Sequence, residues 1–244
     1  MCPLRLSLLV SVALAGAAGA AEPVRLVSSE NPPFAYAGAV AGQVHGVSTE
    51  MAREAARRAS VSASVTLLPW PRAYSRAQTD ADTCVFPVAR LPEREALFRW
   101  IGPLNKNRWV LFARPDFLAP ITSVPEARRY RIGGLLQDGP SLFLLGQGVE
   151  VDQVATNELN LNKLMAGRID LWATGFLRGK MIAAKAGAGE LKVAHTLRDV
   201  DHYMACNPKL PAATLAALEQ AVAAMWQDGT MRKISEHYRD NPPE

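Results

Sequence analysis

Short apolar runs with the two-residue period of a strand alternate along this chain with stretches patterned as helix, and that alternation constrains the fold most. Val24-Arg-Leu-Val-Ser28 reads as a strand and enters the turn-rich Glu30-Asn-Pro-Pro-Phe34. Gly46-Val-Ser-Thr-Glu-Met51 opens a helix that Ser48 or Thr49 can cap, with Met51, Ala52, Ala55, Ala56 and Ala59 on one apolar face. Val61 to Leu68 is the next strand, Pro69-Trp-Pro-Arg72 turns into a short helix through Gln78, and Thr83 to Val88 is a third strand. Alternation of this kind predicts an α/β fold on a mainly parallel sheet, with ligand chemistry at the carboxyl ends of the strands. Glu30, Trp70 and Arg94 all fall at such ends.

From Arg108-Trp-Val-Leu-Phe-Ala113 the pattern restarts. Arg131 to Leu136 is a strand, Gln137-Asp-Gly-Pro-Ser141 is a turn whose Asp138 or Ser141 can cap the next helix, Asn160 to Ala166 is helix, and Arg168 to Ala173 is strand. This is a second, smaller α/β unit. Tyr203-Met-Ala-Cys206 is one more strand, and helices over Ala212 to Gln227 and Thr230 to Tyr238 are separated at Asp228-Gly229.

The first 20 residues read as a secretory signal peptide. Arg5 precedes the apolar run Leu6 to Ala15, which is too short to span a bilayer, and small residues before Glu22 place cleavage after Ala20 or Ala21. Cys2 lies ahead of the apolar run, so it is not the lipid-modified first residue of a mature lipoprotein. Every later apolar stretch is interrupted by charges or prolines, and an exported protein that does not span a membrane is expected. Loss of Arg5 lowers by one the net charge of +4 carried by the full chain. Basic residues are scattered and form no patch interleaved with aromatics, which argues against a nucleic-acid partner. Of the three cysteines, Cys84 and Cys206 remain after processing. An exported pair is more often bridged than free, so a disulfide is expected, the alternative being two buried thiols on neighbouring strands.

Arg94 carries the clearest functional chemistry. A guanidinium is always charged and its planar fork of donors matches a carboxylate, so at a strand exit facing a cleft it suits a small acid. The plainer reading is a solvated loop arginine.

Taken in order, Glu30-Asn-Pro-Pro-Phe34, Gly46-Val47, Leu91-Pro-Glu-Arg94, Gly167-Arg-Ile-Asp170 and Asp228-Gly-Thr230 resemble the type II periplasmic solute-binding proteins of family 3, known for binding polar amino acids for ABC importers. The likeness spans nearly the whole mature chain. It implies a two-lobed fold, each lobe a mixed sheet flanked by helices: lobe one from 21 to 104, lobe two from 105 to 200, and a return to lobe one over 201 to 244. Two crossovers near 104 to 110 and 196 to 203 would join them, with the ligand between the lobes. The same topology would set the strand of Cys206 beside that of Cys84.

The resemblance further implies that Arg94 grips the ligand carboxylate, and that Asp138, Gly139 and Ser141 form a lobe-two turn offering N–H groups and a hydroxyl to the anion. Asp138 is equally well placed as a helix cap. Phe34, Tyr36 and Trp70 are candidate aromatic walls, with core packing as the alternative for Phe34 and Trp70. Thr174 completes the candidate ligand-binding set. The chain also departs from the family pattern. Ala89 stands where a serine or threonine shares the carboxylate, Leu91 replaces a threonine, and Gly175 occupies the place of the acid that binds a ligand ammonium. Asp170 belongs to the motif as a structural residue. Glu30 is then the remaining source of negative charge, and otherwise the ligand is an organic acid or a modified or larger solute.

The expectation is a monomeric periplasmic solute-binding protein that works with the permease of an ABC transporter, closes on its ligand by a hinge and needs no cofactor. Two rivals use the same fold: a dehydratase-like enzyme with Glu30 or Asp138 as acid or base near Arg94, and a module presenting ligand to a membrane sensor. No Gly-x-Ser-x-Gly elbow, P-loop or dinucleotide glycine motif is present. His45, His195, His202 and His237 lack metal-ligand spacing and read as surface or core residues.

Overall fold

The structure is a computed structural model that describes residues 23–240, so the signal peptide expected over the first 20 residues lies outside the described residues. Chain order runs β1 (Val24–Ser28), β2 (Tyr36–Ala37), β3 (Val44–His45), α1 (Val47–Arg58), β4 (Ala63–Leu67), α2 (Trp70–Thr79) and β5 (Thr83–Ala89), then a 3-10 turn over Pro92–Leu97. It continues with β6 (Arg99–Ala113), β7 (Ile132–Leu135), α3 (Gly139–Gly146), β8 (Asp152–Val154), α4 (Asn157–Met165), β9 (Leu171–Gly175), α5 (Phe176–Lys185), β10 (Lys192–Cys206), α6 (Ala212–Gln227) and α7 (Thr230–Asp240). Eight strands form one sheet in the order β4-β1-β5-β10-β6-β9-β7-β8, and β2 pairs with β3 in a separate ribbon.

The sheet has two parallel halves and an antiparallel middle. β1 lies parallel between β4 and β5, and β7 lies parallel between β8 and β9. Between these halves run the 15-residue strands β6 and β10, antiparallel to each other and to their outer neighbours. These two strands are the only β connections between the halves, and they contain the expected crossovers. They are longer than the sequence reading allowed, because the cleft-facing middle is polar (Asn105, Asn107, Asp199, Asp201, His202) and breaks the hydrophobic alternation that marks a strand. β10 also slips register against β6 between Val193 and His195, Thr196 and Arg198, and His202 and Met204. Such slips are bulges that locally bend a strand.

Alternation along the strands fills both faces of each half. In the first half, Leu26, Cys84, Phe86, Met204 and Cys206 point to one face, where α1, α6 and α7 bring Met51, Ala55, Leu218, Val222 and Met231. Val27, Val85 and Ala205 point the other way, against Ala73 and Ala77 of α2. In the second half, Val110, Phe112 and Trp172 meet Leu161 and Leu164 of α4 and Ile182 of α5, while Leu111, Leu171 and Ala173 meet Leu144 of α3. Cys84 and Cys206 face each other across β5 and β10 and are joined by a disulfide.

Helix starts differ from the sequence reading in one case. α1 begins after Gly46, and neither Ser48 nor Thr49 caps it: Thr49 Oγ1 donates to the His45 carbonyl, and Ser48 Oγ accepts from Asn105. Gly46 adopts φ 123°, and a Cβ there would lie 2.4 Å from the Phe34 carbonyl oxygen, a backbone atom that cannot move aside alone. Gly46→Ala therefore combines left-handed strain with a backbone clash, and a loss of about 2–4 kcal/mol is expected in chemical denaturation. A variant as stable as the parent would remove that account.

Candidate functional site

The carboxyl ends of both parallel halves point at one another. After β1 come Ser29 and Asn31, after β4 comes Trp70, and after β5 comes Arg94. From the other half come Asp138 and Gly139 after β7, and Arg178 after β9. Asn107 and Trp109 of β6 and His202 of β10 supply the floor. Together they enclose a cavity of about 20 Å³, room for about one water molecule.

Arg94 is 3 % exposed, carried by the 3-10 turn that follows β5. Its guanidinium lies 5.6 Å from the ring centre of Trp70 and 5.1 Å from that of Tyr74. Nη2 donates to the Gln137 carbonyl at 3.0 Å, and Trp70 Nε1 donates to the same oxygen at 2.9 Å. Gln137 belongs to the opposite half, so this one carbonyl, in a turn where Gln137 has φ 58°, ties the two halves across the cavity. No carboxylate among the described residues forms a salt bridge with Arg94. Burial pulls its guanidinium below the usual value, with Tyr74, Asp138 and Glu93 opposing. Arginine nevertheless stays charged at neutral pH. A buried charge held by π faces and carbonyls is one that an anion would stabilise.

Asp138 is committed in both directions. Oδ1 accepts from Gly139 N at 2.8 Å and caps α3, and Oδ2 forms an ion pair with Arg178, itself 5 % exposed. Arg178 Nε also donates to Thr174 Oγ1 at 3.0 Å. Glycine at 139 is required by Trp109, since a Cβ would come within 2.4 Å of Cζ2. At Gly175 a Cβ would meet the Asn107 amide at 3.0 Å, so a neutral side chain fills the space beside that glycine.

His202 is buried, and its neighbours define a neutral ring. Asn105 Nδ2 donates to Ser48 Oγ at 2.7 Å, which turns Asn105 Oδ1 toward His202 Nδ1 at 3.0 Å; Nδ1 is thus the protonated nitrogen, and Nε2 faces Asn107 Nδ2 at 3.3 Å. Burial pushes the imidazole down to about 3, with Asp138 opposing and Arg178 assisting. Because the folded value lies below the unfolded one, the unfolded chain binds the extra proton as pH falls through about 6.5, and stability is lost from there down to about 3. Most carboxylates do not yet titrate above pH 5, so a loss of about 2 kcal/mol between pH 7 and pH 5 is expected from this group. Urea melts at the two pH values should show it, with a smaller loss in His202→Asn; equal losses would assign the effect elsewhere.

A family model described as bacterial extracellular solute-binding proteins, family 3, matches residues 24–241. The chain belongs to that family. No curated protein matches it. Solved structures share the two-lobed fold of such family 3 proteins. A histidine kinase sensor domain with similarity to periplasmic binding proteins is 17% identical, covers 88% of this chain and 95% of its own, and gives a TM-score of 0.80. ArtJ, the arginine-, lysine-, histidine-binding protein of Geobacillus stearothermophilus, is 12% identical over 91% of this chain and 97% of its own, at a TM-score of 0.78. An ancestral amino acid-binding protein, a precursor of cyclohexadienyl dehydratase, is 17% identical over 88% and 94%, at 0.73. At these identities the likeness establishes the fold.

Within this family 3 chain, the cavity brings together four of the residues singled out from sequence: Trp70, Arg94, Asp138 and Gly139. The others lie elsewhere. Glu30 lines an adjoining chamber of about 290 Å³ that shares Ser29 and Trp70 with the first, and its carboxylate accepts from Ala37 N. Phe34 is buried in the core with its ring edge-on to His202, and Tyr36 lies on the β2–β3 ribbon opposite His45. Ser141 is fully buried and donates to the Leu135 carbonyl, and Thr174 is buried behind Arg178. Asp170 accepts from the backbone N–H and guanidinium of Arg131, a structural tie. Arg178, Asn107, Trp109 and His202 were not legible as site residues. The start of α5 has no polar cap to announce a helix, and Arg178 on it reads as solvated. Among the described residues no group of His, Cys, Asp or Glu is arranged to hold a metal, and no helix is long and apolar enough to cross a membrane.

Proposed function

We propose that this chain is a periplasmic solute-binding protein that captures a small carboxylate-bearing solute between its lobes and hands it to an ABC permease. The observation that carries this is Arg94: a guanidinium 3 % exposed, without a carboxylate partner, facing the cavity at the seam of the two sheet halves. A ligand carboxylate replaces the Gln137 carbonyl as its acceptor and forms the stronger, charge-assisted bond. The seam supports lobe limits near 104 and 200, with the return segment from 201 rejoining lobe one. Closure about β6 and β10 would bring Asp138 and Gly139 against a ligand held by Arg94 and Trp70.

A melting screen of the mature protein against amino acids and organic acids tests this. Ligand at about 100 times its Kd should add about 2.7 kcal/mol of stability and raise Tm by several degrees, and mass analysis should recover the ligand unchanged. Turnover of a hit would replace binding by catalysis. Delivery to a membrane sensor is the second reading, favoured by the likeness to the kinase sensor domain. Crosslinking in cells distinguishes them by whether a permease or a kinase is captured.

A further inference from the structure

We infer that the cleft selects acids carrying a neutral hydroxyl beside the carboxylate, such as 2-hydroxy acids, over the matching α-amino acids. This rests on the carboxylate reading above and names the ligand class for the same site. The cavity is lined by two guanidiniums and a single carboxylate. That carboxylate is spoken for, since one oxygen of Asp138 caps α3 and the other pairs with Arg178. Arg94 is left as the surplus charge, and one carboxylate on the ligand balances it. An ammonium in the same enclosure would meet Arg94, Arg178, a neutral His202 ring and amides, with no free acid to receive it. Burying an unpaired cation is costly.

Asn107 adds the second half of the inference. With Nδ2 directed at His202 Nε2, Oδ1 is buried and has no hydrogen-bond partner. A buried acceptor left unmade costs free energy, and a ligand O–H satisfies it without bringing a charge. Gly175 gives the amide its room, because a Cβ there would press on Asn107 at 3.0 Å. Glu30 does not alter the balance: it lines the adjoining chamber, within the field of Lys185.

The test is titration calorimetry of the mature chain with matched pairs: L-lactate and L-alanine, L-malate and L-aspartate, 2-hydroxyglutarate and L-glutamate. The hydroxy member should bind about 10-fold or more tightly in every pair that binds. Asn107→Asp, which places an acid in the cavity, should reverse or erase that preference. Equal or tighter binding of the amino members would overturn the inference and leave the carboxylate reading standing. No response to any carboxylate, hydroxy or amino, would overturn both.

Discussion

Arg94→Ala is expected to abolish ligand-induced stabilisation, weakening binding by about 100-fold or more, while the unliganded protein melts within a few degrees of the parent. The asymmetry follows from the surroundings of Arg94. Its present partners are two ring faces and the carbonyls of Ala89 and Gln137, so removal strands no buried carboxylate. Removal of one partner of a desolvated charge pair in a complex typically costs about 2–5 kcal/mol. Arg94→Lys separates charge from shape. A lysine keeps the charge and loses the planar fork, and intermediate affinity is expected. Thermal shift and calorimetry on the three proteins read both effects; an Arg94→Ala protein that binds like the parent would remove the central residue of the site.

Removing the Cys84–Cys206 bridge should produce the largest loss of stability. The bridge spans 122 residues, and restricting so long a loop in the unfolded chain is worth about 4–5 kcal/mol in the chain-entropy model. The double variant Cys84→Ala, Cys206→Ala should therefore melt roughly 10 °C lower. Binding should survive, because both cysteines lie in the core under α1 and α6, away from the cavity. A double variant that melts with the parent would show that the bridge restricts little that folding does not already order.

The sequence was most readable where one periodicity prevailed. The strands and helices of the first half, the two closing helices and the pairing of Cys84 with Cys206 follow from apolar alternation, turn residues and family likeness, and they recur in the structure. Trp70, Arg94, Asp138 and Gly139 were readable as a set because each follows a strand end. The floor of the cavity was not. Asn107 and His202 are polar residues on strands, where position along the strand decides whether a side chain meets solvent, core or cleft, and Arg178 depends on a helix without a capping signal. Phe34 and Thr174 fall within a residue or two of site positions but point into the interior, a distinction that only packing makes.

The unbroken sheet also bears on how the protein survives repeated opening. A hinge made of loops parts two sheets and can leave strand edges bare; here β6 and β10 keep their ladder through the hinge, and the three bulges of β10 supply the bend. The outer edges are then the same in every state. One is β4, whose outward residues are polar or half-exposed, and the other is β8, three residues long with Asp152 paired to Lys163. Short, charged edges resist pairing with a second chain. A receptor that opens and closes at high concentration in a confined compartment would thus expose no new template for aggregation in either form.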